Sequence, residues 1–369
     1  MKKPLIVDAH EDLAWNMLTF GRDYMLSSRQ IREREAGSLA PRVNGDSMLG
    51  WADYQQGNIG LIFATLFSAP LRAREGDWDV LTYADQQEAH TQYLQQLDAY
   101  RKLLDAHPDR LHLMEHKMDL EKLLAERSQA EAVPSSEKRE PPIGLVYLME
   151  GADAVRAPEE LVEWVERGVF LIGPAWHGTA YCGGTREPGG LTPAGRKLLE
   201  IMQDLNCALD VSHMDEKAVF QAFDVFAGRV FASHANPYTP MQARESNRFL
   251  KDEVIHMLAE RDAVIGIAPY NLFLDPTWSL GDDRNLVPLQ RYVEQVDYVC
   301  QLLGNADHVG MATDFDGGFG WQSVPRELNS IADLGMVIPL LLERGYTEQE
   351  VEKILGLNWM RFVQEALPS

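Results

Sequence analysis

The sequence is poor in basic residues, poor in cysteine, and free of long apolar runs. Its 369 residues carry 34 Lys+Arg against 56 Asp+Glu, a formal charge of −22 with histidine neutral. Nucleic-acid binding depends on Lys and Arg neutralising phosphates, so this balance excludes it as a partner class. Anionic membrane surfaces are disfavoured for the same reason. The three cysteines, Cys182, Cys207 and Cys300, are an odd number without C-x-x-C spacing. That removes a disulfide scaffold and a cysteine-rich zinc finger, and it reads as buried thiols in a reducing compartment. No run of 18 apolar residues occurs, so no membrane span is expected. The opening Met-Lys-Lys-Pro-Leu-Ile-Val-Asp turns polar before an apolar signal core could form. A cytoplasmic soluble protein is the expectation. No Pro/Gly/Ser-rich linker and no internal repeat divides the chain, so residues 1–369 are read as a single domain.

What is present is an alternation. Short apolar runs occur at Leu5–His10, Ile59–Phe67, Ile143–Glu150, Val169–His177, Ala208–His213, Arg229–His234, Ala263–Tyr270 and His308–Asp314. Most do not alternate apolar with polar, as expected of parallel strands buried on both faces. Amphipathic stretches separate them: Tyr83–Ala106, Pro158–Arg167, Thr192–Leu205, Asp215–Phe226, Lys251–Glu260, Pro288–Leu303 and Ile331–Arg344, with Thr347–Ala366 closing the chain. Eight strands separated by helices predict an α/β fold, a single (β/α)8 TIM-type barrel with additional helices and loops. Leu111–His116 is an extra apolar run expected to lie outside the barrel, and 133–142 reads as an exposed loop.

The chemistry collects at the ends of these runs. His10, His177, His213 and His234 end predicted strands, as do Glu150 and Asp314, and Asp12 lies two residues past the first. In a barrel, the C-terminal strand ends converge on one mouth. Several ionisable groups cannot share such a buried mouth without a cation to offset their desolvation. His10 and Asp12, two apart on an extended strand, point the same way and can grip one divalent ion. Glu150 can offer its two oxygens to two metals. His213 and His234, from adjacent strands, suit the second ion. Nitrogen and oxygen ligands without thiolate favour Zn²⁺, two per chain, with Mn²⁺ or Co²⁺ as substitutes.

These pieces together resemble the membrane dipeptidase family, also known as renal dipeptidase or dehydropeptidase, a branch of the amidohydrolase-like metal barrels. The matching segments, in order, are D-A-H-E-D at 8–12, M-E-G at 149–151, W-H-G-T at 176–179, D-V-S-H at 210–213, F-A-S-H-A-N at 231–236 and T-D-F-D-G at 313–317. G-L-N-W-M-R-F at 356–362 resembles the family's terminal helix. The resemblance implies a binuclear zinc peptidase cutting dipeptides that carry a free C-terminal carboxylate. It puts one zinc on His10 and Asp12, the other on His213 and His234, and Glu150 between them. It makes His177 the group that steadies the transition state, Asp314 the acid/base carboxylate, and Arg248 the clamp for the substrate carboxylate, with Tyr270 assisting. It also favours a homodimer. A binuclear amidase, lactonase or β-lactam-type hydrolase on the same barrel is the alternative. Two positions depart from the family pattern: Phe249 stands where many members have Asn, and Glu11 where Asn is frequent. Glu11 is expected on the opposite strand face with little effect on metal.

Other features read as ordinary structure. His112 and His116 lack the H-E-x-x-H order and lie away from the strand ends. Gly183-Gly184 and Gly317-Gly318 are expected to be flexible loops. Ser212 and Ser233 precede ligand histidines without a nucleophile elbow. Asp316 is expected off the mouth, either behind the ligands or as a plain turn carboxylate. The long, charged first connection, residues 17–58, reads as a solvated surface helix, with a substrate lid as the alternative.

Overall fold

The computed structural model describes residues 3–132, 140–242 and 246–369. Of the expected exposed loop at 133–142, residues 133–139 therefore lie outside the described residues. The barrel strands are β1 (Ile6–Glu11), β2 (Ile59–Phe67), β3 (Ile143–Glu150), β4 (Val169–Gly173), β5 (Ala208–Asp210), β6 (Val230–Phe231), β7 (Ile265–Ile267) and β8 (Val309–Met311). β1 to β6 pair in parallel in sequence order, and β7 pairs with β8. A parallel bridge from Ala232 to Ile265 joins β6 to β7. The Asp314 N–H, donating to the His10 carbonyl at 3.2 Å, brings the end of β8 back to β1. Asp8 reinforces this closure by accepting from the Thr313 amide (2.6 Å) and from its hydroxyl. The expected α/β barrel is the observed one.

Alternation along the strands explains the interior. Leu61 and Phe63 of β2 and Val146 and Leu148 of β3 pack inside with Phe231, Ala312 and Trp359. Their neighbours Ile62, Ala64, Leu145 and Tyr147 face the helix layer. Trp359, on the C-terminal helix Asn358–Ala366, plugs the floor and donates its indole N–H to the Met311 carbonyl (2.9 Å). A Cβ on Gly310 would overlap that indole, so β8 has no side chain at this level. Continuing upward, the next inward positions are Thr65, Glu150 and Asp314, and the apolar interior gives way to the polar mouth.

Five strands are shorter than expected. The run Val169–His177 is ladder only to Gly173, where Pro174, lacking an N–H, follows. β5 to β8 likewise stop early, β5 and β6 because the Asp210 carboxylate takes the Ser212 and Ser233 amides. The extra run forms a strand at Leu111–Leu113 that pairs with the lower half of β3, outside the eight. Gly183 and Gly184 are strand, not flexible loop: Cys182–Gly184 pairs antiparallel with Glu187–Leu191. A Cβ on Gly183 would overlap the Gly189 backbone, and one on Gly184 the His177 carbonyl, which is why glycine occupies both positions. The helices Leu13–Phe20 and Lys117–Ala132 were not anticipated. No helix among the described residues is long and apolar enough to cross a membrane.

Candidate metal centre

β1 shows how backbone geometry aims a ligand. Asp8 is level with Ile62 and Glu11 with Ala64, so three steps on β1 oppose two on β2. Such a bulge reverses the facing of the residues beyond it. Val7 and Ala9 point into the barrel below it, and His10, on the other parity, turns into the mouth above it. Glu11 faces away, as expected, and accepts from the Tyr54 hydroxyl at 2.5 Å. Asp12 starts the helix Leu13–Phe20 and is held by the Thr65 hydroxyl.

His10, Asp12, Glu150, His213 and His234 are all buried, and they form two donor sets, each with its ligand atoms within 4.8 Å of one another. One is His10, Asp12 and Glu150; the other is Glu150, His213 and His234. Glu150 belongs to both: its Oε2 lies 3.5 Å from His10 Nε2, and its Oε1 lies 3.0 Å from His213 Nε2 and 3.4 Å from His234 Nε2. A third set joins His10 and His234 to Asp314, whose Oδ1 is 3.9 Å from His10 Nε2. Both ring nitrogens of His10 are buried without a hydrogen-bond partner among the described residues.

The electrostatics call for positive charge. Burial pushes the His10 imidazole down, but Glu150, Asp12 and Asp314 outweigh it and lift it to about 10. Burial raises Asp12 to about 6 against the pull of His10, and burial pushes Asp314 well above the usual carboxylate range. Burial would raise Glu150 too, but His10 and His213 hold it below its ordinary value. His213 falls to about 3 through burial and the nearby Arg248, and burial with the charge of His10 keeps His234 neutral. Two neutral imidazoles, His213 and His234, beside buried carboxylates that draw a proton onto His10 are a donor set suited to divalent cations.

A layer behind the histidines holds their rings in place. Thr185, in the hairpin turn, meets His213 Nδ1 at 2.9 Å, and Ser233 Oγ meets His234 Nδ1 at 2.8 Å. Buried Asp210 accepts from the Ser212 amide (3.0 Å) and hydroxyl (2.6 Å) and from the Ser233 amide (3.0 Å) and hydroxyl (2.5 Å). With Nδ1 engaged, Nε2 of each histidine is left for an ion.

His177, Arg248 and Tyr270 line the same cavity of about 920 Å³, together with Asp12, Glu150, His213, His234 and Asp314. His177 stacks on Trp176 (4.2 Å, 8°), and burial lowers its pKa. Arg248 donates to the carbonyls of Ser212 (2.8 Å) and His234 (2.5 Å) and lies over Phe273. Tyr270 stacks on Phe319 (4.0 Å), and Phe249 also lines the wall.

Residues 1–367 match the family described as membrane dipeptidase, peptidase family M19. The chain belongs to the membrane dipeptidase family. A dipeptidase from Claviceps purpurea, tcpJ, is 25% identical over 314 residues, 84% of this chain and 67% of that one. An uncharacterised protein from Klebsiella pneumoniae is 30% identical over 232 residues, 60% of this chain and 82% of its own. Among solved structures, a metallo peptidase from Rhodobacter sphaeroides liganded with a phosphinate mimic of L-Ala-D-Ala superposes with a TM-score of 0.77. It is 20% identical, covering 99% of this chain and all of that one. The probable dipeptidase PvdM from Pseudomonas aeruginosa gives 0.75 at 18% identity, covering 99% and 96%. The dipeptidase is thus a metal-dependent hydrolase of this family.

Three features of this dipeptidase are not evident in the sequence. Asp210, Ser212 and Ser233 act as supports for the histidines, and the repeated Ser-His of 212–213 and 233–234 is the available signal. Asp316 is no plain turn carboxylate. Fully buried, it accepts from the Met48 amide (2.8 Å), the Ser47 hydroxyl (2.7 Å) and the Tyr24 hydroxyl (3.0 Å), and pairs with Arg22 at 3.0 Å. Finally, the first connection is not merely a solvated helix. Arg22 also holds Glu35 at the end of helix Ser28–Glu35, and Pro41, Val43 and Gly45 reach the cavity wall.

Proposed function

We propose that the dipeptidase binds two zinc ions and hydrolyses dipeptides carrying a free C-terminal carboxylate. His10 and Asp12 would hold one ion, His213 and His234 the other, with Glu150 shared. The observation that carries this reading is the position of Glu150 between two donor sets, one oxygen toward each. Bound divalent ions supply Lewis-acid polarisation of a carbonyl and a water of lowered pKa. Asp314, ionised once bound cations offset its burial, would take a proton from the attacking water and return it to the leaving amine. His177, beside the metal groups and locked flat on Trp176, donates toward the oxygen that gains charge. Arg248 uses two of its N–H groups on main-chain carbonyls and keeps the rest of its planar fork for the substrate carboxylate. Tyr270 borders the same end of the cavity.

The reading extends to the whole chain as one domain, to a homodimer, and to a reducing compartment such as the cytoplasm, where the buried free thiols Cys182, Cys207 and Cys300 stay reduced. Elemental analysis should find two zinc ions per chain, and a panel of L-L and L-D dipeptides should release free amino acids. Fewer than two tightly held ions, or no turnover on any dipeptide by loaded enzyme, overturns it.

A further inference from the structure

The barrel order fixes which wall meets which end of a bound dipeptide. Arg248 follows β6, and β2 lies four strands away around the ring of eight, so the wall above β2 faces Arg248 across the metal groups. With the carboxylate at Arg248 and the scissile carbonyl at the metals, the N-terminal residue lies against that far wall. This placement rests on the proposed dipeptidase function.

The wall is aromatic. Trp15 meets Trp78 edge-on at 6.2 Å and Phe67 at 6.4 Å, and Trp78 stacks on Phe20 at 5.7 Å. Set into it is Asp79, only 4% exposed and lining the cavity. One of its oxygens caps the turn through the Glu75 amide at 3.5 Å. The other, Oδ1, is buried with no hydrogen-bond partner among the described residues, and so is the indole nitrogen of Trp15. Arg74 favours the ionised Asp79 carboxyl from nearby through its charge but makes no hydrogen bond to it: its guanidinium donates to the main-chain carbonyls of Asp79 (3.2 Å) and Asp77 (3.3 Å). Arg72 is held by Glu187 at 2.7 Å. Glu75 adds a second carboxylate to this stretch of the rim. Arg42 and Arg186 line the cavity elsewhere, in the first connection and in the hairpin turn.

A buried carboxylate oxygen without a partner is costly, and burial raises Asp79 above its ordinary value. Aromatic faces around a carboxylate attract a cation whose aliphatic stem can lie on the rings. We infer that Asp79, with Trp15 and Trp78, forms a specificity subsite for a lysine or arginine side chain on the N-terminal residue of the dipeptide. An apolar or aromatic residue would fill the rings but leave Asp79 unanswered.

The test compares kcat/KM of the zinc-loaded enzyme on L-lysyl-glycine and on L-norleucyl-glycine, which matches the stem without the charge. Lysine should be preferred by at least about tenfold, and by less than about threefold in Asp79→Asn. Each ratio is internal to one preparation, so a lower yield of folded variant does not affect it. Equal or better turnover of the norleucine substrate, or an unchanged ratio in Asp79→Asn, overturns the subsite. If neither dipeptide is cut, the proposed function is judged separately on the wider dipeptide panel, and the subsite is read by tryptophan fluorescence with lysinamide against norleucinamide. Tighter lysinamide binding that Asp79→Asn abolishes then supports it, and no such preference overturns it.

Discussion

Asp316→Ala removes a carboxylate that touches nothing in the cavity, yet the loss should be large. Its two oxygens satisfy the Met48 amide, the Ser47 and Tyr24 hydroxyls and the Arg22 guanidinium, all without solvent. Breaking a buried ion pair by deleting one partner costs about 3–5 kcal/mol, because an uncompensated charge remains. Here Glu35 still holds Arg22 through two bonds of 2.9 and 3.1 Å, which lowers the charge penalty. Against that, two hydroxyls and an amide lose their acceptor, at about 1–3 kcal/mol for each group left unpaired, with strong overlap between them. We therefore expect a total of about 3–5 kcal/mol for Asp316→Ala and a smaller loss for Asp316→Asn, which keeps an acceptor for Met48. Urea unfolding followed by circular dichroism reads this directly. Activity should fall as well, because the main-chain carbonyl of Asp316 also accepts from Asn16 (2.9 Å) and Asn44 (3.1 Å), so the same turn fixes Asp314 and the first connection together. A destabilisation of Asp316→Ala below about 1 kcal/mol would show that the first connection is not anchored through this residue.

The remaining expectations concern the mouth itself. His10 sits at about 10 in the metal-free protein, so near pH 7 it carries a proton that an ion must displace. Zinc affinity should therefore rise about tenfold per pH unit for that one proton and fall more steeply below about 6, where Asp12 is also protonated. Calorimetry in buffers of differing ionisation enthalpy measures the released protons, and a pH-independent affinity between about 6.5 and 8.5 would contradict the charge balance. Asp314→Asn should keep both ions while cutting turnover about 10²–10⁴-fold, and zinc content alongside kcat separates the two effects. Asp210→Ala unties Ser212 and Ser233 and should weaken zinc binding about 10–100-fold, as read by competition with a chelator. A Cβ on Gly317 would overlap Asp314 Oδ1 and approach Asp12 Oδ2 to 2.8 Å. Gly317→Ala should thus misplace Asp314 and lower kcat by about 10²-fold, and an active Gly317→Ala enzyme would argue against the position assigned to Asp314.

The barrel was legible because its strands are buried on both faces, and that requirement writes itself as apolar runs of the right length. β2 and β3 match their runs to the residue. What the runs could not show is where pairing stops. At β5 and β6 the expected strands extend to His213 and His234, but the ladder ends at Asp210 and Phe231. The cause is a side chain: Asp210 takes the amides of both Ser212 and Ser233, which would otherwise continue the ladder. Composition registers the apolar strand, not a carboxylate that substitutes for a neighbouring strand's carbonyls.

The same reasoning explains which site residues were readable. His10, Glu150, His213, His234 and Asp314 could be picked out because each interrupts an apolar run, and an ionisable group at a strand end needs a reason. Asp316, Thr185 and Asp79 stand in loops, where a carboxylate or hydroxyl is ordinary, and Asp210, inside the fifth run, stands three residues before the histidine that draws attention there. Their importance arises only from burial, which depends on contacts across the fold, such as Arg22 and Ser47 reaching a turn on the far side of the sequence, 269 residues beyond Ser47. The long first connection follows suit. Its charges suggest solvent, yet Arg22 is buried between Asp316 and Glu35, and Arg32 donates to the Ser47 and Asn329 carbonyls at 2.6 and 2.5 Å. A segment clamped in this way is part of the cavity wall, which it lines through Pro41, Val43 and Gly45, and its charges are spent on holding that wall in place more than on meeting solvent.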